Sequence, residues 1–189
     1  EPQSETNWHY ADEYKVPRIC FINKLDRMGA DFYKSLASIK ERLTPNALAI
    51  QLPIGSESGF IGVVDLIGNK AFKFDGEKGE SVIPMPVPDD MISIVEKYRH
   101  ELIDRIAGED NTLTNKYLEG KEISEDELKA SLRKATIAVN IIPVLCGSAL
   151  KNKGVQLMLD AVVDFLPSPA DAGCLLHGRR NALRPQAAR

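Results

Sequence analysis

Two short polar segments carry residues whose types and order are suited to reading a purine base. The first is Asn23-Lys24-Leu25-Asp26, which follows an apolar run at residues 16–22. A carboxylate such as that of Asp26 accepts two neighbouring N–H groups at once, and guanine presents such a pair in its N1–H and its exocyclic amine. Adenine has an acceptor in place of N1–H, so Asp26 would discriminate against it. We expect the amide of Asn23 to donate to guanine N7 and to tie two loops together, and the methylene stem of Lys24 to lie over the base.

The second polar segment is Ser148-Ala149, which follows another apolar run at residues 141–146. We expect backbone N–H groups of this segment to meet guanine O6, because the small side chain of Ala149 lets the main chain approach closely. The order Asn-Lys-x-Asp and then Ser-Ala, each after an apolar strand, is typical of GTPases. The sequence therefore predicts a guanine-nucleotide site built from Asn23, Lys24, Asp26, Ser148 and Ala149.

The residues that would handle phosphates have no match in this sequence. Phosphoryl transfer needs a phosphate-binding loop, a magnesium ligand and a group that positions water, and no GxxxxGK(S/T) pattern occurs in the 189 residues. Asp65-Leu66-Ile67-Gly68 fits the loose DxxG pattern of a phosphate-sensing switch, but it follows the NKxD segment and is interpreted as a turn that ends a strand. We therefore predict no catalytic residue, no metal ligand and no GTP hydrolysis by this chain alone.

The elements that must position the two polar segments follow from the hydrophobic pattern. Strand–loop–helix units at the two ends enclose a block of mixed strands and helices. This layout predicts an α/β fold, namely the C-terminal half of a P-loop GTPase-type parallel doubly wound sheet interrupted by an α+β insert. Ligands in such sheets bind beyond the carboxyl ends of the strands, where both polar segments fall. The predicted ranges are 1–50 and 141–171 for the two sheet parts, 51–140 for the insert and 172–189 for an atypical, disordered or artefactual tail.

Individual elements are predicted from caps, turns and periodicity. Asp31 is a predicted helix N-cap, Ser124 begins a capping box, and Asp75-Gly76 is a hairpin signal. The predicted strands are 16–22, 47–54, 60–66, 70–74, 81–85 and 141–146, and the predicted helices are 5–14, 31–43, 89–107, 114–118, 124–139 and 155–166.

Composition limits the class of protein further. Hydrophobic residues make up 43% and charged residues 27%, which is typical of soluble globular chains, and no apolar run is long enough for a membrane span. The net charge of −3 becomes −7 without residues 173–189, which hold four arginines and no acid, so broad electrostatic binding of nucleic acid is not expected. Cys20, Cys146 and Cys174 have no CxxC spacing and are expected to be free thiols in a reducing, cytoplasmic compartment.

A family resemblance is carried by the stretches Glu1-Pro2-Gln3-Ser4-Glu5-Thr6, Val16-Pro17-Arg18-Ile19, Asn23-Lys24-Leu25-Asp26-Arg27-Met28-Gly29-Ala30-Asp31-Phe32, Gly62-Val63-Val64-Asp65-Leu66, Cys146-Gly147-Ser148-Ala149, Lys151-Asn152-Lys153-Gly154-Val155 and Leu166-Pro167-Ser168-Pro169. These stretches resemble the elongation factor G family of translational GTPases, over about residues 1–171. The resemblance implies a ribosome-activated GTPase that binds GTP or GDP, with Mg²⁺ held elsewhere in the parent protein, and that moves tRNA and mRNA during protein synthesis. A bacterial source is expected, with an organellar one left open.

The same resemblance implies a monomer that works at the ribosome without a membrane. It implies that the helices at 89–107 and 124–139 of the insert meet the ribosomal stalk protein. The family's phosphate loop, switches and catalytic histidine are missing, and Glu1 is not a methionine, so we expect the chain to begin inside a longer product. Two alternatives stay open: a non-catalytic stalk-binding module, and a nonfunctional fragment whose exposed strand edges lower its solubility. Residues 172–189 resemble an out-of-frame or vector-derived end.

Overall fold

The computed structural model describes residues 2–76 and 79–171. The predicted tail at 172–189 and Cys174 lie outside the described residues. Single turns of 3-10 helix lie at Glu57–Gly59 and Asp89–Met91. The longer elements, in chain order, are α1 (Pro2–Glu13), β1 (Cys20–Ile22), α2 (Phe32–Arg42), β2 (Ala47–Ala49), β3 (Gln51–Ile54), β4 (Gly62–Asp65), β5 (Lys70–Asp75), β6 (Ser81–Met85), α3 (Ile92–Ala107), α4 (Asn111–Leu118), α5 (Glu125–Ile137), β7 (Ile142–Cys146) and α6 (Val155–Phe165).

The sheet that carries both polar segments is parallel and has the order β1-β7-β2. Its central strand β7 is buried along its whole length, as the continuous apolar run at 141–146 predicts for a strand covered on both faces. β1 pairs with β7 in parallel, with Cys20 opposite Val144 and Ile22 opposite Cys146. The parallel pairing brings the carboxyl ends of β1 and β7 to the same edge, so the loops that follow them are neighbours.

Strand β1 is shorter and less buried than predicted. The prediction ran from residue 16 to residue 22, but the strand begins at Cys20. Residue Val16 donates its N–H to Ala11 at the end of α1 instead of to a strand, and Pro17 has no N–H to give. Because β1 lies at the edge of the described sheet, Cys20 and Phe21 are only half-buried.

The predicted strand at 47–54 is in fact two strands that belong to different sheets. β2 joins the parallel sheet, whereas β3 begins an antiparallel sheet of order β3-β4-β5-β6. Ile50 is the junction, since its N–H is donated to the Val144 carbonyl at 3.0 Å and its carbonyl accepts the Leu66 N–H at 3.0 Å. The hairpin predicted at Asp75-Gly76 joins β5 to β6 as expected.

Of the insert's helices, α5 begins where its capping residues predict, whereas α3 begins at Ile92 after a 3-10 turn rather than at residue 89. Helix α4 begins at Asn111, before its predicted start at residue 114, because Asp110 caps it. The hydroxyl of Ser124 accepts the Glu127 N–H while the Glu127 carboxylate accepts the Ser124 N–H, which completes the predicted capping box at the start of α5. α3 buries Val95, Leu102 and Ile106 on one face, as its spacing predicts.

Helix α6 leaves much of its apolar surface uncovered. Its buried residues are Ala161 and Phe165, whereas 78% of Val163 is exposed. Arg133 of α5 is bound at the end of α6, where its guanidinium donates to the Asp164 carbonyl at 2.8 Å and pairs with the Asp171 carboxylate at 2.8 Å. These contacts join the insert to the second part of the parallel sheet.

Candidate functional site

The first predicted loop is shaped by its own side chains and by the loop that follows β7. Lys24 has a left-handed backbone, with φ of 65°, and its N–H donates to Asn23 Oδ1 at 2.7 Å. Leu25 is only 4% exposed and donates its N–H to the Gly147 carbonyl at 3.2 Å. Leu25 therefore anchors the loop, while Asn23 and Lys24 before it remain exposed and Asp26 is half-buried.

The second predicted loop is closed by backbone hydrogen bonds between Ser148 and Lys153. The N–H of each residue donates to the carbonyl of the other, both at 2.9 Å. Position 147 requires a glycine, because a Cβ there would lie 2.3 Å from the Lys153 carbonyl oxygen and 2.7 Å from the Phe21 ring. Ser148 is fully buried as a result, and Ala149 and Leu150 are exposed.

The side chain of Asn23 connects the two loops, although its partner Ala149 is 126 residues away in sequence. Asn23 Oδ1 accepts the Ala149 N–H at 2.9 Å in addition to the Lys24 N–H. The structure thus brings Asn23, Lys24, Asp26, Ser148 and Ala149, the predicted site residues, to one edge of the parallel sheet. The loop-tying role predicted for Asn23 is present in this geometry.

The carboxyl of Asp26 is held in its ionised form. A hydrogen bond from the Ser148 side chain is the largest cause that lowers the pKa of Asp26 below its ordinary value, and the charges of Lys151 and Arg27 lower it further. An ionised carboxylate is the form that accepts two N–H groups. Ser148 therefore acts on the site through its hydroxyl.

The backbone donors of the second loop are distributed differently from the sequence-based expectation. Ser148 gives its N–H to Lys153 and Ala149 gives its N–H to Asn23. Within residues 2–76 and 79–171, the N–H of Leu150 has no hydrogen-bond partner, and its side chain is 84% exposed. Sequence reasoning did not select Leu150, although it occupies the third position of the Ser-Ala-x segment.

The DxxG segment takes no part in this site. Asp65 ends β4 in the insert, where its carboxylate accepts the Ile67 N–H at 3.2 Å and the Gly68 N–H at 3.0 Å. The interpretation as a strand-ending turn is confirmed. Burial raises the pKa of Asp65 above its ordinary value, in contrast to the lowered pKa of Asp26.

The described cysteines have the character of buried apolar groups. Cys20 and Cys146 are free, and burial raises the pKa of Cys20 to about 11 and raises that of Cys146 as well. A thiol with a raised pKa is a poor nucleophile and a poor metal ligand at neutral pH. Cys20 and Cys146 therefore contribute packing to the parallel sheet.

Comparison with known proteins decides the family. A family model, described as the elongation factor Tu GTP binding domain, matches residues 1–168. The chain belongs to this family. It is a GTP-binding domain of the translational GTPases, and its fold is the mixed α/β fold of such a domain with a parallel sheet, helices and an insert. Membership of a GTP-binding domain family implies that the domain takes a guanine nucleotide.

A solved structure has a similar fold. The crystal structure of a protein from Thermus thermophilus superposes with a TM-score of 0.79 at 28% sequence identity, over 89% of this chain. The chain spans 25% of the length of that protein. Among residues 2–76 and 79–171, no helix of this translational GTPase domain has the length and apolar character needed to cross a bilayer.

Proposed function

We propose that the chain is the guanine-reading part of a translation elongation factor of the G type, the ribosome-dependent GTPase that drives movement of tRNA and mRNA. The observation that carries the proposal is the 2.9 Å hydrogen bond from the Ala149 N–H to Asn23 Oδ1, which assembles the NKxD and Ser-Ala loops into one surface. The insert between these loops, and the family-specific stretches that flank them, favour the G type over other translational GTPases.

The base has a defined place in this proposal. Asp26 accepts guanine N1–H and the exocyclic amine, and the amide of Asn23 donates to N7. The Leu150 N–H, which has no partner within the described ranges, donates to guanine O6. The stem of Lys24 and the exposed side chain of Leu150 cover the two faces of the base. Ser148 and Ala149 hold Asp26 and Asn23 in position.

The remaining groups of the nucleotide are assigned to other parts of the parent protein. Within residues 2–76 and 79–171, no group of three or more His, Cys, Asp or Glu side chains is arranged to hold a metal ion. The proposed role of this chain is limited to the base. The chain binds the base, and it does not hydrolyse GTP by itself.

Exchange of the base partner tests the proposal. Asparagine in place of Asp26 offers one acceptor and one donor, which match the N1–H and the C2 carbonyl of xanthine instead of the two donors of guanine. Asp26→Asn should weaken guanosine binding by about 2 kcal/mol, roughly 30-fold, and should strengthen xanthosine binding. Ligand-observed NMR with guanosine, xanthosine and adenosine detects these weak complexes.

The matched control is Asp160→Asn, which alters an exposed carboxylate on α6. It should leave the preference for guanosine unchanged. Equal binding of adenosine and guanosine by the unaltered chain would refute the base-reading assignment. So would an Asp26→Asn variant that retains the original preference.

The proposed partner is the ribosome, with the insert on the ribosomal stalk protein and the protein acting as a monomer in the bacterial cytoplasm or an organelle. α3 is the better candidate contact face, since Ile92, Lys97 and His100 are exposed on it. α5 is less free because Arg133 is bound to the end of α6. If Lys97→Glu leaves binding of the stalk protein unchanged in a titration, α3 is not the contact face.

A further inference from the structure

A short turn of the insert contacts both loops of the candidate guanine site. Residues 55–60 lie between β3 and β4 and are called the insert turn here. Glu57 Oε1 accepts the Gly29 N–H at 2.8 Å, shortly after the first loop. The Phe60 carbonyl accepts a hydrogen bond from the Lys153 ammonium at 2.7 Å, at the end of the second loop. One segment of six residues therefore holds two loops that are far apart in the sequence.

The insert turn is held rigidly by its own contacts. Phe60 has no exposed surface, and its N–H donates to the Glu57 carbonyl at 3.0 Å. Gly55 has a φ of 79°, and a Cβ there would lie 2.0 Å from the Gly59 carbonyl oxygen. Glu57 itself has a left-handed backbone with φ of 51°, which a residue other than glycine keeps only where its surroundings hold it. A turn fixed in this way is a firm support for the two loops.

The contact at Lys153 leads directly to the base-reading carboxylate. Lys153 exchanges two backbone hydrogen bonds with Ser148, both at 2.9 Å. The Ser148 side chain in turn bonds to Asp26 and lowers the pKa of Asp26. Phe60 is therefore connected through Lys153 and Ser148 to the carboxylate expected to read the base.

The contact at Glu57 is connected to the same carboxylate, that of Asp26, through the first loop. Gly29 stands three residues after Asp26, in a left-handed conformation with φ of 78°. The stretch between them is closed by two turns, since the Arg27 N–H donates to the Lys24 carbonyl and the Ala30 N–H donates to the Arg27 carbonyl, both at 3.1 Å. Gly29 is thus connected through these two turns to the segment that holds Lys24 and Asp26.

We propose that Glu57 and Lys153 are positioning residues through which the insert sets the guanine affinity of the site. This inference rests on the proposed function. Neither residue needs to touch the base, because each acts through a loop that does. A partner that displaces the insert turn will lower guanine affinity, and bound guanine will stabilise the insert turn by the same free energy.

The test uses the full chain with truncating and conservative variants. Glu57→Ala removes the acceptor for Gly29, whereas Glu57→Gln keeps an oxygen that accepts the same N–H. Lys153→Met keeps the stem without a donor, whereas Lys153→Arg keeps a donor. The readouts are guanosine affinity and amide exchange at Ala149, both measured by NMR. Each truncation should weaken guanosine binding by about fivefold and speed the exchange, and each conservative variant should restore both.

Glu41→Ala and Lys121→Met are the matched controls, because both residues are exposed and lie outside the two loops. The proposal is overturned if the truncated variants keep the original affinity and exchange rate, or if the conservative variants fail to restore them. If one truncated variant does not fold, the other still tests the proposal, because Glu57 and Lys153 take part in contacts with different loops. If the unaltered chain does not bind guanosine, the proposed function is refuted. The rate of amide exchange at Ala149 would still show whether the insert turn supports the two loops.

Discussion

Substitution of Asn23 separates two roles that the structure gives to one side chain. Its Oδ1 accepts the N–H groups of Lys24 and Ala149 at 2.7 Å and 2.9 Å, and its amide nitrogen is the proposed donor to guanine N7. Asn23→Ala removes both roles. Asn23→Asp keeps an oxygen that can accept both N–H groups but has no donor for N7.

The magnitude follows from the exposure of these hydrogen bonds. Water can replace the lost acceptor at both N–H groups, so each bond contributes about 0.5 kcal/mol, at the lower end of the usual range. The contact to N7 adds about 1 kcal/mol. Asn23→Ala should therefore weaken guanosine binding by about 2 kcal/mol, roughly 30-fold, and Asn23→Asp by at least about 1 kcal/mol, roughly fivefold.

Two measurements on the same samples distinguish the roles. NMR titration with guanosine gives the affinity, and amide exchange at Ala149 reports the connection between the loops. Exchange should quicken in Asn23→Ala and stay slow in Asn23→Asp. Asn111→Ala, at an exposed position on α4, should change neither quantity. Slow exchange at Ala149 in Asn23→Ala would refute the reasoning, because the Ala149 N–H would then be protected by a group other than Asn23.

Three further substitutions test the surroundings of the site. Cys146→Ser places a hydroxyl in the fully buried central strand and should destabilise the fold by about 1–3 kcal/mol in urea unfolding. Cys20→Ser, at a half-buried position, should destabilise the fold less. Burial raises the pKa of Asp65 in the folded chain above 3.8, so the free energy of unfolding falls as pH rises from 3.8 through the raised pKa. Asp65→Asn should remove this fall, which is measured as a decrease in the urea midpoint. Arg133→Ala removes the hydrogen bonds to Asp164 and Asp171 and should lower the free energy of unfolding by about 1–2 kcal/mol. An unchanged melting temperature would show that this contact between α5 and α6 contributes little to stability.

Features governed by neighbouring residues could be predicted from the sequence. Asp31 caps α2 by accepting the Lys34 N–H at 3.0 Å, and Ser124 completes its capping box with Glu127, because each cap needs only residues within one turn. The burial of β7 follows from its unbroken apolar run. The Asn-Lys-x-Asp and Ser-Ala patterns placed the candidate site at one edge of the sheet for the same reason, since each is a short segment that directly follows a strand.

Features governed by distant partners could not be predicted. The division at Ile50 depends on Val144 and Leu66, which lie far along the chain and pair with two different sheets. The backbone N–H of Ser148 is given to Lys153 because a turn closes there, and no sequence pattern specified that turn. The left-handed Glu57 and its bond to Gly29 follow from packing in the insert, and Glu is not a residue type that signals such a conformation.

The order of the parallel sheet has a consequence for how the chain folds. β1 pairs with β7 across the whole insert, whereas the antiparallel strands pair with their immediate successors along the chain. Closing a long loop costs entropy before its contacts form, so the antiparallel sheet and its helices should fold first and shorten the path between β2 and β7. Pulse-labelled amide exchange should then protect β4 and β5 before β1. The guanine-reading surface would be the last part of the chain to exist, and any partly folded chain with an unfolded insert would be without it.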